Sequence, residues 1–258
     1  MSIKTDAMGV ITLKKDFIAR IEGVVEEPKE EVKEVAKTRE IIWKREASAG
    51  FNATRGNTKT NQFLASFLIN RKDVHVNEIT LKGNAYYSEV DDEADAQKWY
   101  SMGRYAFGFG PRKHWYNFYR LEYDHDRFAE INYRLIPGTG VGYWFFDEPN
   151  LKILAEVGMG WKHTDYREEK DPTNEFVWLP RAFFESELIK NIKLSGDLYL
   201  YPTVNFDEYR LHSESALIMA INKILSLKFA LINDYNSDPP DDTEKHDVRL
   251  ESSLVASF

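Results

Sequence analysis

The sequence of 258 residues contains no cysteine, so it can form no disulfide, no thiolate metal site and no cysteine nucleophile. It has no apolar run of about 18 residues, and its mean hydropathy is −0.51, which together exclude a transmembrane helix. A transmembrane β-barrel is not excluded, because its strands turn half of their residues toward a polar interior. The first residues lack the apolar segment of a signal peptide, so if the protein is exported we expect this sequence to be a mature or trimmed form.

The last 14 residues, 245–258, alternate in polarity and predict a β-strand. One parity is mostly apolar and ends on Phe258, whereas the other carries Asp247, Arg249 and Glu251, with Val255 as its apolar exception. A strand with one apolar face that ends on an aromatic residue resembles the closing strand of a bacterial outer-membrane barrel. The terminal strand of a soluble antiparallel sheet would have the same pattern, so the distinction depends on the rest of the chain.

From residue 41 onward the sequence predicts only strands, because no segment has a convincing helical period. Longer acidic connections, at 88–97, 166–175, 205–209 and 237–244, alternate with short turns at 71–73, 110–113, 147–150, 189–191 and 222–223. Long loops on one rim and short turns on the other are typical of an up-and-down outer-membrane barrel. We therefore predict an all-β fold, an antiparallel transmembrane barrel of about 12 strands that covers residues 41–258.

Residues 1–40 are predicted to precede the barrel as a short β segment followed by a charged linker. Ile3–Ile21 fits two short strands around Ala7–Gly9, which are too few to bury a core alone. Residues 22–40 are dense in Glu, Lys and Val, as in a solvated spacer. We interpret this part as the truncated end of a periplasmic region.

The polar parity of each strand faces the interior in such a barrel. Its charges of both signs are nearly balanced, which argues against strong ion selectivity. Opposite charges on neighbouring strands would form a lattice of ion pairs, or arginines would bind carboxylates or phosphates of a polar solute. The charged residues that we predict to line the lumen are Arg104, Arg120, Glu122, Arg134, Glu156, Arg181, Lys193, Arg210, Glu214, Arg249 and Glu251.

Acidic residues are concentrated in two connections that the barrel layout puts on the same rim. Carboxylate oxygens suit Ca²⁺ or Mg²⁺, but the spacing is not that of a dedicated calcium loop. We therefore predict a weak divalent-cation surface and no structural or catalytic metal site. Its residues are Asp91, Asp92, Asp95, Asp238, Asp241 and Asp242.

Catalytic constellations are scarce. His212 and Ser213 are consecutive in a predicted strand and would face opposite sides, so the base could not reach the hydroxyl group. Asp124–Asp126 is predicted as a polar extracellular turn, and Gly138–Gly142 as a tight bend within a strand, not a nucleotide-binding loop. We therefore predict that the protein is not an enzyme and uses no cofactor.

Several segments resemble a family of bacterial outer-membrane proteins known as domain of unknown function 481, or salt-induced outer-membrane proteins. Ala49–Thr58 is similar to its first hairpin, and residues 3–21 resemble the short β segment that often precedes its barrel. The central signature is matched by Glu122–Phe128, Arg134 and Pro137–Tyr143, and the final hairpin by Asp238–Pro240 and Leu254–Phe258. The resemblance spans residues 41–258 and implies an outer-membrane location and a barrel fold, but no catalytic residue.

The leading functional hypothesis is a narrow outer-membrane pore for small polar solutes. The alternatives are a structural or adhesive envelope protein whose lumen is sealed by ion pairs, a barrel hydrolase that uses the extracellular rim, and a soluble ligand-binding barrel. The expected partners are outer-membrane lipid, lipopolysaccharide and the barrel-assembly machinery, which would bind the strand that ends in Phe258. The net charge of −8 argues against a nucleic-acid partner.

We predict that the chain needs detergent or lipid to fold and that the folded protein migrates faster in gels unboiled than boiled. The reason is that the apolar parity of its strands would be exposed if the barrel stood in water. Electrophoresis with and without boiling checks this. A folded, monodisperse protein in detergent-free buffer would contradict the membrane interpretation.

Overall fold

The computed structural model describes residues 2–5, 9–12, 41–54, 59–74, 76–109, 114–167, 171–239 and 244–258. The chain forms two units, Met1–Thr38 and Arg39–Phe258. In the first unit, strand β1 (Ser2–Thr5) pairs antiparallel with β2 (Gly9–Thr12). The charged linker predicted for residues 22–40 lies outside the described residues.

The second unit is an antiparallel sheet of 13 strands. Its strands are β3 (Ile41–Thr54), β4 (Thr60–Asp73), β5 (Asn77–Val90), β6 (Glu93–Phe109), β7 (Trp115–Asp126), β8 (Ile131–Glu148), β9 (Leu151–Tyr166), β10 (Thr173–Trp178), β11 (Arg181–Ile189), β12 (Ile192–Pro202), β13 (Tyr209–Ala220), β14 (Leu225–Asn236) and β15 (His246–Ser257). No helix among the described residues is long and apolar enough to cross a membrane.

Strands β10 and β11 are two halves of one barrel strand. Thr173 pairs with Thr164 of β9 and Arg181 pairs with Glu156, so the register along β9 is the same before and after the interruption. The break falls at Leu179 and Pro180, where proline has no N–H to donate to β12, although its carbonyl accepts from Leu200 N at 3.1 Å. The barrel therefore has 12 strand positions, as predicted from the sequence.

The sheet closes on itself between the last strand and the first. Pairing of β15 with β3 runs from Leu254 opposite Ala49 to Ser257 opposite Glu46, which is four residue pairs. Beyond this stretch the two strands are joined by a side-chain hydrogen bond, from Ser252 Oγ to Asn52 Oδ1 at 2.8 Å. Closure gives every strand position of the sheet a neighbour on both sides, which an open sheet in lipid would lack.

Burial alternates along the strands in the way a membrane barrel requires. On β9, for example, Leu154, Glu156 and Gly158 are buried and point inward, whereas Val157 and Met159 are exposed on the outer face. The same alternation holds on β12, where Leu198 points outward and Tyr199 inward. The outer surface is consequently apolar, with large side chains that water would not solvate favourably.

Glycines on β8 and β9 make room for large side chains inside the barrel. Phe118 lies over Gly140 and Leu179 over Gly138, so closely that a Cβ atom at either glycine would clash. A Cβ atom at Gly158 would lie 3.1 Å from Phe118, and one at Gly160 would lie 3.0 Å from Leu179. The prediction of a tight bend at residues 138–142 is wrong, because β8 runs extended through these glycines. They are needed for close approach of side chains and not for a change of chain direction.

Two further details differ from the sequence-based expectation. The long acidic loop predicted at residues 88–97 is a two-residue turn of Asp91 and Asp92, whose φ angles are 51° and 70°, and the flanking strands extend through the rest. The apolar alternation at the start of β8 predicts that Ile131 faces lipid together with Tyr133 and Leu135. Ile131 is instead buried, because a register shift between Ile131 and Tyr133 changes which side it faces. The loops at 167–172, 203–208 and 237–245 remain longer than most turns on the opposite rim.

We predict that Leu198→Arg destabilises the barrel by about 2–4 kcal/mol, because it puts a charge on the lipid-facing surface midway along β12. The matched control is Ser195→Arg, which introduces the same side chain on the inward parity of the same strand. Urea unfolding in lipid vesicles measures both variants. Equal destabilisation would contradict the assignment of faces.

Candidate functional site in the barrel interior

The eleven charged residues predicted to line the lumen all lie on inward-facing positions. Arg104, Arg120, Glu122, Arg134 and Glu156 are buried, and so is Glu251. The others are partly exposed within the interior. Whether any of them contacts a solute stays a prediction, but the structure brings most of them into mutual contact.

Glu156 on β9 is the centre of the largest cluster. Its carboxylate accepts hydrogen bonds from Arg104 on β6, from Tyr116 Oη at 2.8 Å and from Arg181 Nη1 at 3.5 Å. Arg181 also binds Asp197 on β12 through two nitrogens, at 2.7 and 3.0 Å. Because each charge has an opposite partner, the cluster can remain ionised away from bulk water.

Aromatic rings fill the space between these arginines. The guanidinium groups of Arg120 and Arg181 lie 5.3 and 5.0 Å from the centre of the Tyr199 ring. Arg104 similarly lies 5.3 Å from the ring centre of Tyr116. Such cation–π contacts hold the long side chains in fixed positions along the wall of β6, β7, β9, β11 and β12.

Glu122 on β7 forms a second cluster. It accepts from Tyr201 Oη at 2.8 Å and from Tyr100 Oη at 3.3 Å, and its other oxygen lies 2.7 Å from Arg120 Nε. Tyr100 and Arg120 belong to the neighbouring strands β6 and β7, and Tyr201 belongs to β12. Glu122 therefore joins β6 and β7 to a strand that lies four strand positions away from β7.

Other contacts cross the bore directly. Lys82 on β5 donates to Tyr199 Oη at 3.3 Å, although β5 and β12 are six strand positions apart in either direction. Toward the long-loop rim, Arg210 Nη1 donates to Asp124 Oδ2 at 2.8 Å, and Lys98 Nζ donates to Asp247 Oδ2 at 2.6 Å. Polar side chains thus bridge the interior at several heights.

The bridging residues Lys82, Lys98, Asp124 and Asp247 are not in the predicted lumen set. Asp124 was predicted to be in an extracellular turn, but β7 extends through Asp126 and turns Asp124 inward toward Arg134 and Arg210. The inward direction of Asp124 could have been predicted from the sequence, since Asp124 has the same parity as Arg120 and Glu122. His212 also points inward, with Nδ1 2.6 Å from Asp234 Oδ1.

Part of one wall of the interior is lined by short side chains. Ser48, Ser66 and Asn84 pair in register across β3, β4 and β5 and face inward. The two serine hydroxyls lie 2.6 Å apart, and Asn84 is exposed to solvent although it points into the barrel. Water therefore has access to this wall, whereas the opposite wall is packed with arginine and tyrosine side chains.

The predicted cation-binding rim is only partly described. Asp91 Oδ1 accepts from Lys59 N at 2.8 Å, and Asp92 lies 3.9 Å from Lys59 Nζ, so a local cation already pairs with this turn. Asp95 lies on β6 and Asp238 follows β14, whereas Asp241 and Asp242 lie outside the described residues. Within the described ranges, no cluster of three or more His, Asp or Glu residues is arranged to hold a metal ion. The cation surface stays a prediction.

The closed 12-position barrel, its apolar outer surface and its charged interior define a bacterial outer-membrane β-barrel protein, because only a closed sheet satisfies its backbone within lipid. The chain belongs to the family described as "Protein of unknown function, DUF481", whose model matches residues 47–258. The resemblance seen in the sequence is thereby confirmed.

The chain is also similar to individual proteins. The chain is 28% identical over 212 residues to the uncharacterized protein YdiY of Escherichia coli (strain K12), which covers 82% of this chain and 81% of that protein. Among solved structures, it is similar to an outer-membrane channel from Pseudomonas putida F1, with a TM-score of 0.48, 9% identity, and coverage of 85% of this chain and 96% of that one. The NanC porin gives a TM-score of 0.45 and 8% identity, with coverage of 84% and 98%.

We predict that Glu156→Gln destabilises the barrel by about 3–5 kcal/mol, because it leaves the charges of Arg104 and Arg181 buried without their shared carboxylate. The control is Glu46→Gln, since Glu46 pairs with Lys44 at 3.1 Å and neither residue is buried. That change should cost no more than about 1 kcal/mol. Thermal loss of the fast-migrating gel band measures both, and similar midpoints would contradict the central role of Glu156.

Proposed function

We propose that the barrel is a narrow channel for small polar solutes across the outer membrane. The observation that carries this proposal is the exposure of Asn84 inside the barrel, on a wall that continues through Ser66 and Ser48. An inward-facing amide on a closed sheet can be solvated only if water enters the bore. Hydroxyl and amide groups along this wall offer both donors and acceptors to a passing solute.

The packed wall has a complementary role in this proposal. Glu156, Arg181 and Asp197 neutralise one another, and Arg181 also packs against the ring of Tyr199. These contacts keep the long side chains of the packed wall away from the wall of Ser48, Ser66 and Asn84, which we call the serine wall. Because both signs of charge are interspersed, the bore has no strong single-sign field. We therefore expect weak ion selectivity and a size limit set by the side chains that cross the interior.

A sealed structural barrel is the second candidate. It is favoured by the bridge from Lys82 to Tyr199, which spans opposite walls and leaves less room for a solute. In that case the ion pairs would serve stability alone. The two candidates differ in one measurable property, which is conductance.

The test uses the absence of native cysteine. Asn84→Cys should conduct in a planar bilayer like the wild type, and a charged, water-soluble methanethiosulfonate reagent should then reduce its conductance, because the adduct narrows the open side of the bore. The matched control is Ala216→Cys, which also faces inward but is 1% exposed and should not react. Reaction is followed by the mass of the protein.

The outcomes separate the candidates. Absence of conductance in the folded wild-type protein would support the sealed barrel and overturn the channel. If full modification of Asn84→Cys leaves the conductance unchanged, the path of the solute does not pass Asn84. The serine wall would then no longer be part of the proposal.

A further inference from the structure

The outer surface of the barrel has an unusual pair of charges. In the half of the described strands nearest the short turns, the outward-facing positions are apolar or neutral, with two exceptions away from the strand ends. These are Arg45 on β3 and Arg71 on β4. Arg45 shares its parity with the exposed residues Ala47, Ala49 and Phe51, so it faces lipid and not the lumen.

Both arginines are neighbours of one aromatic residue, Trp43. Trp43 pairs in register with Arg71 on the neighbouring strand, and the Arg45 guanidinium lies 4.9 Å from the centre of the Trp43 ring, which is 51% exposed. Arg71 donates from Nη1 to Asn77 Oδ1 at 2.9 Å and lies 3.7 Å from Asp73. No acidic side chain in the described part of the chain forms an ion pair with Arg45.

An arginine on the lipid-facing surface is unfavourable unless its charge meets a partner. Close to the membrane interface that partner can be the phosphate of a lipid headgroup, which a planar guanidinium can bind through two parallel hydrogen bonds. Tryptophan is also enriched at this level, because its ring sits among headgroups. Arg45 and Trp43 are both near the end of β3 that belongs to the short-turn, periplasmic rim.

We propose that Arg45, Trp43 and Arg71 form a binding site for the headgroup phosphate of a phospholipid in the periplasmic leaflet. Arg45 supplies a guanidinium that has no ion-pair partner among the described residues, and Arg71, held by Asn77 and Asp73, adds positive charge beside it. The acyl chains then run along the outer face over Ala47 and Ile69, which continue the same parity toward the bilayer centre. The site is independent of whether the bore conducts.

The experiment titrates short-chain phosphatidylglycerol into the folded barrel in non-ionic detergent and counts bound lipid by native mass spectrometry. Arg45→Gln should weaken binding roughly tenfold, because a charge-assisted contact is lost. Lys44→Gln is the matched control, since Lys44 immediately precedes Arg45 in β3, carries the same charge and is exposed on the inward parity. Its affinity should equal that of the wild type. Gel mobility without boiling verifies that each variant is folded.

Two further arms identify the ligand. Diacylglycerol, which has the same chains without phosphate, should not distinguish wild type from Arg45→Gln. Inorganic phosphate at the same concentration should not displace the phospholipid, because it lacks the acyl contacts. Equal phosphatidylglycerol binding by Arg45→Gln and wild type would overturn the site. Displacement by inorganic phosphate would overturn its assignment to lipid in favour of a free anion.

Discussion

The structure depends on one constraint, which is that lipid offers no hydrogen-bond partner to a peptide group. Every strand must therefore pair on both edges, and the sheet can end only by meeting its own beginning. The pairing of β15 with β3 closes the sheet, and the distribution of apolar and polar side chains depends on this closure. Once the sheet is closed, one parity of each strand must be apolar to face the bilayer, and the other encloses a space that lipid cannot enter.

The enclosed space explains why so many charges are buried in this barrel. Arg181 is opposite Glu156 on the neighbouring strand, and the curvature of the sheet brings Arg104 to the same carboxylate from three strands away. Side chains as long as lysine and tyrosine can reach across, as Lys82 and Tyr199 do. The interior is thus divided between a rigid wall of ion pairs and rings and a wall of serines and asparagine that water reaches, which is the asymmetry on which the channel proposal rests.

Much of this architecture could be predicted from the sequence, because period-two alternation fixes both the strands and their faces. It identified the barrel, its 12 strand positions and the inward direction of residues such as Arg120 and Glu251. Contacts across the bore could not be predicted, because they depend on how strands distant in the chain are placed around the closed sheet. Asp124 illustrates this limit, since its partner Arg210 is 86 residues away.

Two predictions about short segments are wrong because the residues of each segment fit more than one local structure. The glycines at 138–142 suggested a bend because glycine is flexible, but their use here depends on Phe118 and Leu179, which no pattern within the segment reveals. The acidic run around Asp91 suggested a loop because it is polar, but two consecutive residues with positive φ make a tight turn. In both cases a residue type was compatible with two structures, and neighbouring strands determined which one forms.

The closing seam has a mechanical consequence. Neighbouring strands elsewhere, such as β3 and β4, are paired from Ile41 opposite Asp73 to Thr54 opposite Thr60, whereas β15 and β3 share a ladder of four residue pairs at the periplasmic end. A barrel opens most easily between the two strands that share the fewest backbone hydrogen bonds. In this barrel these strands are β15 and β3, and they would separate from the extracellular rim toward the periplasmic rim while the other strand pairs remain intact.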